Sequence, residues 1–337
     1  MSHIPVLLNE VVYYLSPSNG DNIIDATFGY GGHTIAILEK CKNCNVLGID
    51  RDPDVIDRAN QIKQKYKGRF NFIHGKFSEV LQGLDKKYNK ILFDFGVSSI
   101  QLDNPERGFS FSKSGSIDMR MSKEGKSAYD IINTLSQEDL FEIIWKYGDE
   151  NKSRKIAKAI VNYRNKKTIE TTTELRNIIL SVINNNNSHI DPSTKTFQAL
   201  RIYVNDELNE IYKALNSLNN VLINNSIIVT ISFHSLEDRI VKQWAKNNKK
   251  INNKFLLNNN KLNKEYFEEK IKKTHFYHKI DVCKTMEEST HNNNYETIEI
   301  IPINNKIIKP NNDEIKRNPR SRSAILRAYK YNIDDKE

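Results

Sequence analysis

The first hundred residues limit the fold more than any other part of the chain. Short apolar runs at residues 22–26 (NIIDA), 45–50 (NVLGID), 70–73 and 91–95 alternate with helical patterns. One helix begins over 34–39 after a glycine-rich turn. Another runs from Pro53 to about Tyr66, with proline in the first turn, where its missing N–H costs little. Short strands separated by helices pair in parallel through right-handed crossovers, which predicts a doubly wound α/β sheet. Ligands of such sheets bind beyond the carboxyl ends of the strands.

The pattern then changes. Residues 96–126 read as a long loop rich in Ser, Gly and Asp, and 128–181 have helical periodicity. After a polar break at 184–187, Phe197, Leu200, Val204, Leu208, Ile211, Leu215 and Leu218 form one apolar stripe at helical spacing, a core-packing signal. A buried strand returns at 226–231 (SIIVTI), so the sheet resumes after a helical insertion of about a hundred residues. Asn and Lys crowd 246–273, which reads as a solvated connector, and 318–331 regain strand character. The expected division is 1–103 and 209–337 for the sheet domain, with a connector at about 246–312. Residues 104–208 form the inserted helical, substrate-recognising domain.

Composition bounds the class. Hydrophobic residues make up 38% and charged residues 28%, as in a globular chain. No apolar run approaches the ~20 residues needed to cross a bilayer, and the first residues carry no basic leader, so the default expectation is a cytoplasmic protein without a membrane partner. A net charge of +9 favours polyanions, though a Lys- and Asn-rich bias inflates it. Cys41, Cys44 and Cys283 are too few for a disulfide framework. Cys41 and Cys44 form a single C-x-x-C, with only His275, His278 and Cys283 as imaginable further ligands, so no metal site is expected.

The chemistry concentrates at the strand ends. Residues 25–33 (DATFGYGGH) follow the first strand and open a helix, and Asp50 closes the second strand, where a carboxylate can grip both hydroxyls of a ribose. A dinucleotide site wants G-x-G-x-x-G beneath a pyrophosphate, whereas here the pattern is G-x-G-G-H with Asp25 in front. S-adenosylmethionine has no phosphate and carries an amine, which Asp25 suits, so Asp25 is expected among the cofactor-binding residues, with capping of the turn as the alternative reading. Phe77 follows the third strand, where it can lie against an adenine ring or pack into the core. Asp94 ends the fourth strand beside whatever the glycine turn holds. His234 follows the fifth strand, as a proton shuttle or a structural histidine. Residues 152–167 read as a basic amphipathic helix whose Lys155, Lys158 and Arg164 can track RNA phosphates or simply face solvent. Arg317, Arg320, Arg322 and Arg327 are weighed the same way. Phe109 and Phe111 lie in the polar loop, where they can receive a base or anchor the loop to the core, with core packing the preferred reading.

These residues sit in longer motifs. HIPVLLNEV, DATFGYGGHT, GIDRDP, DFGVSS, QLDNPERGFSF, DMRMS, TFQALRIYVNDEL, ISFHSLEDRIVK and NPRSRSAILR, in that order, resemble the bacterial MraW-type methyltransferases over about residues 3–240 and 316–330. The resemblance implies a class I S-adenosylmethionine-dependent methyltransferase: a Rossmann-like doubly wound sheet with an inserted all-helical domain. It implies methylation at N4 of a cytosine in the decoding region of small-subunit ribosomal RNA, on the RNA or an assembling subunit. It also implies cofactor contacts from Gly31, Gly32, His33, Asp50, Phe77, Asp94 and Gln101. Ala26, Phe95 and Ile325 depart from the family pattern, and the Asn-rich stretch follows none. Two other readings compete. An amino-methyltransferase of DNA typically carries D-P-P-Y where residues 94–97 read DFGV. A non-catalytic RNA-binding assembly factor would have no reason to keep the glycine turn, Asp50 and Asp94. For the leading reading, Asp94 and His234 are the expected catalytic residues.

Overall fold

The structure, a computed structural model, describes residues 4–183, 191–248, 297–304 and 306–334. Its centre is a seven-stranded sheet in the order β3-β2-β1-β4-β5-β7-β6. The strands are β1 (Asn22–Asp25), β2 (Asn45–Asp50), β3 (Phe70–His74), β4 (Tyr88–Asp94), β5 (Leu222–Ser232), β6 (Thr297–Pro302) and β7 (Ile325–Asp334). β1 to β5 pair in parallel, and β7 runs antiparallel between β5 and β6. This is the class I methyltransferase arrangement that the motifs imply.

The central strands are apolar throughout because both faces are covered. Successive residues face opposite sides. Ile23, Val46, Phe70 and Leu92 pack with Val11 and Leu15 of α1 (Leu8–Leu15), Ile37 and Leu38 of α2 (Gly32–Lys40), and Ala59 and Ile62 of α3 (Ile56–Lys65). Ile24, Leu47, Ile91 and Phe93 face the other side. They meet Leu81 of α4 (Phe77–Gln82), Ile211 and Leu215 of α11 (Glu207–Asn216), and Trp244 of α13 (Ser235–Asn247).

A third core belongs to the inserted helices. It joins α6 (Ala128–Thr134), α7 (Gln137–Gly148), α8 (Ser153–Arg164), α9 (Thr172–Leu180) and α10 (Thr194–Asn205) around residues such as Ile144, Ile156, Ile160, Leu175 and Leu200. Phe109 is buried in it, and Phe111 meets Phe197 at 4.8 Å between ring centroids, so the loop aromatics serve the core.

One expectation is refined and one corrected. The stripe from Phe197 to Leu218 does pack into the core, but it is not one helix. Asp206 turns left-handed at φ 51° between α10 and α11, and a further short helix, α12, spans Leu218–Val221. The connector expected at about 246–312 is not wholly solvated either. β6 lies within it, Ile308 bridges Leu326, and α14 (Asn312–Arg317) begins at its end. Residues 249–296, which include His275, His278 and Cys283, fall outside the described part.

Residues 4–7 meet residues 314–318. Leu7 N donates to Glu314 Oε1 at 2.7 Å, and Asn318 Nδ2 donates to Ile4 O at 3.1 Å. Among the described residues, no helix is long and apolar enough to cross a membrane. Cys41 and Cys44 are buried free thiols, and burial pushes Cys44 up to about 11, so it is an inert packing residue.

Candidate functional site

A cleft of about 300 Å³ opens at the carboxyl ends of β1, β2, β4 and β5. The loop between β1 and α2 forms its floor. Gly29 and Gly31 have φ of 53° and 78°, which side-chain-bearing residues rarely adopt. A Cβ on Gly31 would lie 2.4 Å from Ile62, and one on Gly32 would lie 2.3 Å from Pro5. Gly31 therefore lets the loop press onto α3, and Gly32 lets the N-terminal strap close over it. Gly32 and His33 line the cleft, whereas Gly31 lies behind it.

Asp50 ends β2 in the cleft wall. Its Oδ2 accepts from Gly29 N at 2.7 Å and its Oδ1 from Asp52 N at 2.9 Å. Burial lifts its carboxyl to about 6, against the pull of these two hydrogen bonds. Each oxygen keeps a lone pair for a further donor. Phe77 opens α4 in the same wall, edge-on to Phe93 at 5.7 Å and tilted towards Phe95 at 6.4 Å.

Asp94 ends β4. Its backbone N–H donates to Thr27 Oγ1 at 2.7 Å, which fixes the strand end against the glycine loop. Its Oδ2 lies 3.5 Å from His33 Nε2. Among the described residues, Asp94 Oδ1 and both ring nitrogens of His33 are buried without a hydrogen-bond partner. Asp94 and His33 both line the cleft, so a ligand bound there can reach these atoms.

Asp25 departs from its expected place. It is wholly buried and does not wall the cleft. Its carboxylate accepts from Thr34 Oγ1 at 2.7 Å and Thr27 N at 3.4 Å, and burial raises its pKa. The turn-capping alternative describes it: Asp25 ties α2 to β1 beneath His33.

Gln101 is also buried, and both ends of its amide are engaged. Its Oε1 accepts from Ser98 N at 2.9 Å in the cap of α5 (Ser99–Asp103), and its Nε2 donates to Asp52 Oδ2 at 2.7 Å. Asp52 was missed in the sequence, as was Arg107. The Arg107 guanidinium donates to Asp52 at 2.9 and 3.1 Å, to Asp54 Oδ2 at 2.6 Å, and to the carbonyls of Arg120 and Met121 at 2.9 and 3.0 Å. A continuous chain of hydrogen bonds therefore runs from Gly29 through Asp50 and Asp52 to the loop that enters the helical unit. The signal was present in GIDRDP and NPERGF, where acids and an arginine flank the turns.

His234 is likewise not brought to the cleft surface. It caps α13, its Nε2 lies 3.1 Å from Glu237 Oε1, and Glu237 N donates to its Nδ1 at 3.4 Å. Arg201 stands beside it, donating twice to Glu207 at 2.8 Å. Glu207, His234 and Glu237 bring three potential ligand atoms within 4.8 Å, but Arg201 already supplies the cation there. Arg201 and Phe233, not His234, face the cleft.

The expected RNA contacts divide. Lys155 and Lys158 are exposed on α8. Arg164 is not available: it is half-buried, donates to Ile132 O at 2.6 Å and to Leu135 O, and burial lowers its pKa. Arg320 lies at the mouth of the cleft paired with Asp103, and Arg322 is exposed beside it. Arg327 is held by Asp238 at 2.7 and 3.1 Å.

Comparison with known proteins agrees with this geometry. A sequence model of the MraW methylase family matches residues 1–266. The "Ribosomal RNA small subunit methyltransferase H" of Rickettsia massiliae (strain Mtu5) is 50% identical over 248 residues, which is 73% of this chain and 80% of that protein. The protein of the same description from Rickettsia bellii (strain RML369-C) is 44% identical over 329 residues, covering 97% of this chain and 98% of the other.

Proposed function

The chain belongs to the MraW methylase family, and from that premise we propose that it methylates N4 of a cytosine in the decoding region of small-subunit ribosomal RNA. The methyl donor is S-adenosylmethionine, which supplies an electrophilic methyl on a positively charged sulfur. The cleft residues fit it: Asp50 has spare acceptor capacity for ribose hydroxyls, Phe77 and Phe95 offer apolar faces to a base, and orphaned polar atoms remain at Asp94 and His33.

The observation that carries the proposal is the unpartnered Asp94 Oδ1 with His33 behind it. An exocyclic amine is a poor nucleophile because its lone pair is delocalised into the ring. Asp94 accepts one amine N–H and turns the lone pair towards the methyl, which is mainly a matter of positioning. Its charge also stabilises the positive nitrogen as it develops. The proton of the methylated, positively charged amine then passes to Asp94, which leaves a neutral amine and a neutral carboxyl, and His33 Nε2 at 3.5 Å stands ready to take that proton on as Asp94 is restored. His234 organises α13 and takes no proton. Methylation at ring carbon five normally needs a thiolate, and the cysteines among the described residues, Cys41 and Cys44, are buried away from the cleft.

The helical unit of 104–208 recognises the substrate. Lys155, Lys158, Arg320 and Arg322 supply exposed positive charge for the phosphates of ribosomal RNA, free or in an assembling small subunit in the cytoplasm. Mass-spectrometric mapping of ribosomal nucleotides with and without the protein tests the whole reading. The expected result is one N4-methylcytosine that depends on it. A 5-methylcytosine instead, a methyl on DNA, or no difference would overturn it.

A further inference from the structure

Beside the cleft lies a second, smaller depression of about 90 Å³ that shares Leu102 and Arg320 with it. Ser110, Ser112 and Lys113 form its other side, and Asp103 closes it. We propose that this depression binds one backbone phosphate of the RNA next to the target nucleotide, and that Asp103 holds the place of that phosphate while RNA is absent. The inference rests on the ribosomal RNA reading above.

The chemistry of the lining supports an anion. Lys113 is exposed and makes no ion pair among the described residues. Ser110 and Ser112 hydroxyls lie 2.9 Å apart, and Ser112 N donates to Ser110 Oγ at 3.2 Å. Only one hydroxyl proton is used between the two oxygens, so the other is free to donate outward. The Arg320 guanidinium points at Asp103, whose carboxylate is the natural mimic of a phosphate edge. That pair is largely exposed, at 42% and 67% of the two side chains, and such pairs hold weakly. A phosphate offering charged oxygens to both Arg320 and Lys113 displaces it. Because Arg320 also lines the cleft, a phosphate seated there fixes the strand beside the mouth through which the base enters.

The test is methyl transfer to ribosomal RNA by the full chain, with RNA concentration and salt varied and S-adenosylmethionine saturating. Lys113→Ala with Arg320→Ala should raise KM for RNA about tenfold or more. The log–log salt slope should fall by about 1, because both cations serve one phosphate. Asp103→Asn should lower KM, by up to about fivefold. Inorganic phosphate at constant ionic strength should raise the wild-type KM and leave the double variant unaffected. An unchanged KM and slope in the double variant, or a raised KM in Asp103→Asn, overturns the proposal. A double variant that escapes inorganic phosphate but keeps its KM for RNA marks a free-anion site and also overturns it. A wild-type chain that moves no methyl to ribosomal RNA fails the underlying reading, and this inference falls with it.

Discussion

Arg107→Met tests the chain of hydrogen bonds that joins the cofactor wall to the helical unit. Arg107 is 5% exposed and Asp52 is 2% exposed, so neither charge can turn to water. The substitution keeps the apolar stem and removes five hydrogen bonds of 2.6–3.1 Å. Asp52 keeps Gln101 Nε2 and Asp54 N as donors, and Asp54 keeps Lys123. Breaking one partner of a buried pair costs roughly 3–5 kcal/mol, and those surviving donors put the expected loss near the lower end, about 3 kcal/mol. Urea unfolding of the full chain reads it as a lower midpoint at unchanged slope. Adding Asp52→Asn removes the stranded charge, so the double variant should lose at least ~1 kcal/mol less than the sum of the single changes. A loss under ~1 kcal/mol for Arg107→Met, or strict additivity in the double variant, would refute the network as described.

Four further outcomes are expected. The affinity for S-adenosylmethionine should weaken as pH falls through about 6, tending to ~10-fold per unit below it, because the ribose hydroxyls need the ionised Asp50; calorimetry at constant salt checks this, and a flat profile from pH 7.5 to 5 contradicts it. For the unliganded chain the sign is opposite: burial makes the folded state hold the Asp50 proton more tightly than the unfolded one, so its stabilising contribution is present below about pH 4 and is lost as pH rises through about 6. Asp94→Asn should cut the transfer rate at saturating S-adenosylmethionine by ~10²-fold or more, and a variant within threefold of wild type would remove Asp94 from the chemistry. Neutralising Lys155 and Lys158 together should lower the log–log salt slope of RNA binding by up to about 2, with no change in cofactor affinity; an unaltered slope makes that face of α8 merely solvated.

The parallel strands were legible because a strand buried on both faces is written as a continuous apolar run, and β1, β2, β4 and the second half of β5 read that way, whereas the edge strand β3 is mostly uncovered and was found from Phe70, Phe72 and Ile73. The glycine turn, Asp50, Phe77 and Asp94 were legible because strand ends in such a sheet point at one edge. Side-chain direction was not. Asp25 and Asp94 both sit at strand ends, yet Asp25 turns inward to Thr34, and spacing along the chain does not distinguish the two. Arg164 lies in a basic run, but α6 ends nearby and its free carbonyls capture it. His234 was ambiguous because, besides the nearby Glu237, it meets Arg201, which arrives from a distant part of the sequence already paired with Glu207. β6 was missed because Asn-rich surroundings hid the alternation of Ile298 and Ile300, and its pairing with β7 fixes that strand from outside its own segment.

The strap formed by Ile4 to Leu7 also fixes the order of events during synthesis. Pro5 covers Gly32, yet Ile4 is held by Asn318, a partner 314 residues away. At ~5–20 residues per second the ribosome needs roughly 15–60 s to deliver that partner. Until then the wall of the cleft nearest the glycine loop lacks its fastening, although β1 to β4 are already complete. A nascent chain therefore carries a half-built pocket through most of its translation, and a chain cut short before residue 318 would be left with it permanently.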